Sequence, residues 1–215
     1  MSCPEVPGLV FDEKTHSYTY DGRRLPGVTS VLNELVRVEY GDREFYVNTL
    51  NGQTIAAEVI RSAGDYGRAV HKVMDLALNH GIDAIFYPEE IEPSVKALVQ
   101  WQADYRPELI AVEQRVHSLK YWYAGTFDIL CYLPLTKRLA LIDVKTGEGA
   151  LTGPQTAAYL EAWRECTGER KAIDRYKLRL PKVAGETYRL IPCANPQDWV
   201  YFTHRLFARE FHANL

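Results

Sequence analysis

A chain of 215 residues, 47% of them hydrophobic, can bury one sizeable core, most simply as one domain with or without an attached subdomain. A charged fraction of 25% and a net charge of −3 exclude a strongly basic tail and an acidic disordered chain, though not a local basic face. No apolar run approaches the roughly 18–20 residues that cross a bilayer, and the start MSCPEVPGLVF lacks the segments of a secretion signal, so a cytoplasmic protein with no membrane partner is expected.

In chain order, HSYTYDGRRL alternates Tyr18 and Tyr20 before Asp21 and Gly22, a hairpin turn signal. PGVTSVLNEL reads as a helix start, with Thr29 or Ser30 as candidate cap. Residues 42–62 read as helical, with an interruption near Asn51 and Gly52. GDYGRAVHKVMDLALNHG is a clearer helix, with Val70, Val73 and Ala77 at helical spacing and Gly81 after its end. A second helix runs from Pro93 to Tyr105. Three strands follow, LIAVEQRVHS, AGTFDILCYL and RLALIDVKTG, the last two joined around PLTKR. GPQTAAYLEAWREC is a helix with Pro154 suited to its first turn. YKLRL and TYRLIPC are a strand pair, and NPQDWVYFTHRLFAREF is a closing helix. Helices, three strands, helix, strands and helix predict an α/β protein with a mixed central sheet flanked by helices.

The chemistry concentrates on the second and third of the three strands. Asp143 and Lys145 are two apart on an otherwise apolar strand, so they point to one face roughly 6–7 Å apart. Asp128 sits among Phe127, Ile129 and Leu130 on the preceding strand, and a hairpin brings the two acids together. Two buried carboxylates repel and are costly to desolvate, and a divalent cation offsets both. An ammonium beside a phosphate and a cation-bound water stabilises developing negative charge. Asp128, Asp143 and Lys145 therefore read as a site for metal-assisted phosphodiester hydrolysis. An acid–lysine pair by itself is more often a plain ion pair.

GTFDIL followed by DVKTG resembles the PD-(D/E)XK nuclease superfamily, in particular its RecB-like branch with phage exonucleases. GRAVH resembles that branch's upstream helix motif, giving His71, and QTAAY resembles its downstream Q-x-x-x-Y helix, giving Gln155 and Tyr159. The opening FDEKTHSYTYDGRRLPGVTSVL also resembles phage members. The resemblance implies a restriction-endonuclease-like core over 63–215, with residues 1–62 as an N-terminal hairpin and helical elaboration of one domain. It implies Mg²⁺ or Mn²⁺ held by His71, Asp128, Asp143 and the Val144 carbonyl, with Lys145 assisting the attacking water. An imidazole ligand favours Mn²⁺ relative to an all-oxygen site. Asp75, one turn beyond His71, is a candidate to orient the ring. Glu113, on the first strand, is either a ligand to a second ion or an exposed strand acid. Gln155 is expected to hold Lys145 or a phosphate, and Tyr159 to touch the DNA backbone or stack a base. Trp163 is read as core.

The function implied is a DNA nuclease, most readily an exonuclease, in phage-type or bacterial recombination, repair or processing. The alternative is an inactive copy of the fold that binds DNA or assembles with partners. No GxxxxGK[ST] loop is present, so duplex unwinding needs a helicase partner. Arg175, Lys177 and Arg179 alternate onto one strand face, in a segment from Arg164 to Arg189 with eight basic and four acidic residues, a candidate track for the DNA backbone. Cys3, Cys131, Cys166 and Cys193 form no CxxC pair, so neither a structural zinc site nor a disulfide framework is expected. Some relatives hold an iron–sulfur cluster with closely spaced C-terminal cysteines; Cys166 and Cys193 lack that spacing, and no cluster is expected.

Overall fold

The structure is a computed structural model that describes residues 3–4, 6–12, 15, 17–32, 35–40, 43–48, 57–80 and 87–213, excepting the side chains of 35–48, 57–64, 80 and 210–213. A three-stranded antiparallel sheet opens the chain: β1 (Leu9–Asp12), β2 (Ser17–Tyr20) and β3 (Arg23–Leu25). Asp21 and Gly22 both carry positive φ, 46° and 75°, which is the two-residue turn that matches strand twist. Helix α1 (Val28–Leu32) begins one residue before the candidate caps; Ser30 instead donates its hydroxyl to the Gly27 carbonyl.

The expectation of a helix over 42–62 is corrected over Arg43–Asn48 and holds over residues 57–62. Strands β4 (Leu35–Tyr40) and β5 (Arg43–Asn48) form an antiparallel hairpin, and α2 spans Ala57–His80. The segment REFYVN is rich in aromatic and β-branched residues, which pack well across a strand pair, and that local preference prevails. The interruption expected at Asn51 and Gly52, and the helix end at Gly81, lie outside the described residues.

A five-stranded sheet forms the centre. Its strands are β6 (Glu108–Ser118), β7 (Tyr123–Leu133), β8 (Arg138–Lys145), β9 (Ile173–Arg179) and β10 (Arg189–Pro192), in the order β10-β9-β8-β7-β6. All neighbours are antiparallel except β8 and β9, which run parallel because α4 (Thr152–Thr167) carries the chain back across the sheet between them. Helix α2 and α3 (Glu92–Tyr105) cover one face, where Val70, Met74, Leu98 and Trp101 pack on Ile129, Ile142, Val144 and Leu178. Helices α1, α4 and α5 (Asp198–Ala213) are on the other, where Val31, Tyr159, Trp163 and Phe202 meet Phe127, Leu130 and Leu141. Each fully buried side chain of this size contributes about 1.5–3 kcal/mol. The mixed sheet flanked by helices is as the element order predicts. Trp163, 1% exposed, is core as expected.

Face alternation breaks at one place in two neighbouring strands. On β6, Val112 packs with the α2–α3 side, whereas Ala111 and Val116 pack with the α4–α5 side. On β7, Ile129 and Cys131 face α2–α3, but Phe127 faces α4–α5. A perfect strand cannot put residues two or four apart on opposite faces. This break lies at Glu113, whose φ is +47°, beside Asp128, and is separate from the β6–β7 register shift between Leu109 and Ala111. The resulting kink sets the geometry of the acid cluster.

The cysteine expectation is also corrected. Cys3 and Cys166 form a disulfide with a Cα–Cα distance of 5.3 Å, tying the N-terminal segment to the end of α4 across 163 residues of sequence. Spacing rules cannot detect a pair so distant. Among the described residues no helix is long and apolar enough to cross a membrane.

Candidate metal centre

The β7–β8 ladder ends at the pair Ile129 and Ile142. Just beyond it, the Val144 amide donates at 2.5 Å to Asp128 Oδ2, so a side chain replaces the missing backbone partner. That bond fixes one oxygen of Asp128 and leaves Oδ1 facing α2. His71 Nδ1 lies 3.4 Å from that oxygen and 3.4 Å from Glu113 Oε1. The donor atoms of His71, Glu113 and Asp128 all lie within 4.8 Å of one another. They come from a helix and two strands.

Asp143 and Lys145 follow the parity of Leu139 and Leu141 on β8, which sit with the α4–α5 core. Lys145 Nζ is 2.6 Å from Asp143 Oδ2, as their spacing predicts. Asp143 is 1% exposed. Gly149, at φ +53°, closes the loop over the lysine: a Cβ there would lie 2.9 Å from Lys145 Cγ and 2.7 Å from Thr152 Oγ1. The absence of a side chain at Gly149 thus lets the loop clamp the lysine stem.

The crowding of charge shows in every titration. The Asp128 carboxylate and, against the effect of burial, Glu113 hold the His71 imidazolium well above its ordinary range. Burial pushes Asp128 up, but His71, Lys145 and the Val144 amide outweigh it and hold the carboxyl low. Burial raises Glu113. Burial, reinforced by Asp128 and only partly offset by Lys145, pushes Asp143 up to about 6. Burial disfavours the Lys145 ammonium, yet Asp143 and Asp128 keep its pKa above the usual value. Two carboxylates at one imidazole, with the Asp143–Lys145 pair beside them, form a donor set suited to a divalent cation, and Glu113 is held in a left-handed backbone that non-glycine residues rarely adopt. Backbone strain of this kind costs on the order of 1–3 kcal/mol and clusters at functional sites.

The structure brings His71, Glu113 and Asp128 into one group, with Asp143 and Lys145 beside it. Asp75 does not orient the His71 ring; its carboxylate accepts the Asn79 side-chain amide at 2.9 Å. Gln155 donates to Tyr159 Oη at 3.0 Å. Tyr159 is only 3% exposed and packs on β7 at Gly125, where a Cβ would come within 2.6 Å of its ring. Base stacking by Tyr159 is therefore corrected: the ring is inside the protein, and its phenol anchors Gln155.

Each cation of the expected basic track has a partner within the protein. Arg175 is an internal tie: it donates to the Gly153 carbonyl at 2.7 Å and pairs with the buried Asp198 at 3.1 Å. Lys177 donates to the Glu148 carbonyl, and Arg179 pairs with the Glu148 carboxylate at 2.7 Å. The three cations share a strand face, as alternation predicts, but they turn toward α4 and the loop before it. Sequence reasoning found Glu113 without its conformation, and no sequence signal marks a positive φ at a glutamate.

No family model and no curated protein matches the sequence. Among solved structures, a candidate exonuclease from Eubacterium rectale superposes with a TM-score of 0.46 at 12% identity, covering 70% of this chain and 65% of its own. The chain thus spans just under two thirds of that protein's length.

Proposed function

We propose that this chain is a divalent-metal-dependent deoxyribonuclease, with Mg²⁺ or Mn²⁺ held by Asp128, Glu113 and His71 and completed by Asp143 and the Val144 carbonyl. The observation that carries the reading is the convergence of His71, Glu113 and Asp128 within 4.8 Å, next to a buried Asp143–Lys145 pair. A structural ion pair needs one acid per base; three acids at one imidazole and one ammonium exceed that need. The ordered motifs from GRAVH to QTAAY supply the phosphodiester chemistry in this reading.

The bound cation supplies charge neutralisation at the scissile phosphate and lowers the pKa of a water. The chain's own residues do the rest. Asp128 is oriented by the Val144 amide, so its Oδ1 is presented without a rotamer search. Lys145, held protonated by its acid neighbours, acts as an electrostatic donor to the developing negative charge on the phosphate oxygens rather than as a base. Gln155, anchored on Tyr159, is a positioning residue for the phosphate or for Lys145. Residues 63–215 form the catalytic unit of a single domain in this reading, and 1–62 elaborate it.

The test is cleavage of end-labelled linear DNA, closed circular DNA and single strands with Mg²⁺, Mn²⁺ or EDTA, with RNA in parallel. Metal-dependent DNA cleavage is expected, and preference for the linear form identifies an exonuclease. No cleavage of any of these by the folded wild type rejects the enzymatic reading and leaves a DNA-binding module.

A further inference from the structure

A second constellation of donors lies at the other end of β6. Cys3 from the N-terminal segment, His117 from β6 and Cys166 from the end of α4 meet at one point, and their donor atoms all lie within 4.8 Å of one another. We propose that the reduced forms of Cys3 and Cys166, with His117, bind a zinc-class cation, and that oxidation of the two thiols to the disulfide closes this site.

The sulfur-to-nitrogen distances suit a soft tetrahedral ion once the bond between the two sulfurs is broken. His117 Nδ1 is 3.5 Å from Cys166 Sγ and 3.9 Å from Cys3 Sγ. An ion with Zn–S near 2.3 Å and Zn–N near 2.0 Å sets sulfur and nitrogen roughly 3.6 Å apart. The imidazole is 7% exposed, so it is held inside the protein beside both sulfurs. Glu165 is not a fourth ligand. Its carboxylate accepts from Ser118 Oγ at 2.6 Å and from the Leu119 and Lys120 amides at 2.9 and 3.1 Å, which shape the β6–β7 turn. The fourth position falls to water.

The donor set separates this site from the acid cluster four residues back along the same strand. Thiolate and imidazole favour zinc-class ions, whereas carboxylates favour Mg²⁺ or Mn²⁺. Two of the three groups, Cys3 and His117, also wall a cavity of about 850 Å³, where Cys3, Pro4 and Val6 face Gln114, Val116 and His117. Occupancy of either form, ion or disulfide, pins the N-terminal wall of that cavity.

The redox step balances with a disulfide oxidant such as oxidised glutathione. Cys3 and Cys166 each give up one electron and one proton, their sulfurs join, and the oxidant leaves as two thiols. A dithiol reverses it. Cys131 does not compete, since burial pushes its thiol up to about 12.

The experiment uses the full chain, reduced with a dithiol, freed of reductant and metal, and titrated with Co²⁺ and then Zn²⁺. The expected result is a thiolate-to-cobalt charge-transfer band that saturates at one equivalent and is displaced by Zn²⁺. It disappears in C3S and C166S, persists in C131S and C193S, and disappears when wild type is first oxidised, with two thiols lost by thiol counting. H117A weakens binding by at least about tenfold. Circular dichroism checks folding, and because Cys3 lies in the N-terminal segment, C3S keeps the test meaningful if H117A fails to fold. No thiolate band in the reduced, folded wild type overturns the proposal, even if thiol counting still shows the disulfide. So does a band that survives in C3S and C166S together. Neither outcome bears on the DNA cleavage assay, which reads the acid cluster.

Discussion

Two buried ion pairs flank α4, and they are built to opposite standards. Arg175–Asp198 ties β9 to the start of α5: the guanidinium also donates to the carbonyls of Gly153 and Asn195, and Asp198 is packed against Gly153, where a Cβ would come within 2.6 Å of the carboxylate. Asp143–Lys145 sits instead beside Asp128, Glu113 and His71, with Asp143 pushed up to about 6 and Glu113 in a left-handed backbone. The first pair is locally neutral, and its guanidinium is well supplied with hydrogen bonds. The second gathers three acids near one imidazole and one ammonium, and burial there disfavours the charged form of Asp143. Selection for packing alone explains the former and not the latter, which is the physical reason to assign chemistry to the β8 end.

The largest expected effect separates the two pairs by function. Lys145→Ala lowers DNA cleavage by at least ~10³-fold, in line with removal of a transition-state charge partner, while thermal melts show a folded protein. Arg175→Ala does the reverse. It strands Asp198 in the interior and costs about 3–5 kcal/mol in stability, measured by denaturant titration, with activity per folded molecule nearly unchanged. Comparable losses of activity in both variants would erase the contrast.

Asp143→Asn sharpens it through pH. The folded pKa of Asp143 is about 6 against 3.8 for the ordinary group. The protonated form is therefore favoured by folding. This stabilisation is complete below the unfolded value and is lost as pH rises through about 6. In EDTA at pH 7 the uncharged asparagine should thus stabilise the chain by about 1–3 kcal/mol, while abolishing cleavage. The gap should vanish near pH 3, and Mn²⁺ should raise the melting temperature of wild type more than that of the variant. Destabilisation by Asp143→Asn at pH 7 would assign the pair a structural duty.

The smallest effect concerns the kink. Glu113→Gly removes the left-handed penalty and should raise metal-free stability by about 1 kcal/mol, while weakening Mn²⁺ binding measured calorimetrically. Unchanged Mn²⁺ affinity would remove Glu113 from the ligand set.

The β7–β8 hairpin, α4 and the Asp143–Lys145 contact were legible in the sequence, because strand alternation and helical spacing are local rules. The 42–62 segment misled because helical and strand patterns overlap in short apolar runs. Arg175 read as an exposed cation because alternation gives a face but not what covers it. Gln155 and Tyr159 read as a shared helix face, correctly, but the burial of Tyr159 depends on Gly125 one layer away.

What the sequence determined by itself is the order of elements and which side chains share a strand or helix face, since backbone geometry repeats every two residues or every 3.6. Only the tertiary structure decided that His71 reaches Asp128, that β6 kinks at Glu113, and that Cys3 meets Cys166. Those contacts join residues 57 and 163 positions apart, or hang on one dihedral angle, and no local periodicity encodes either.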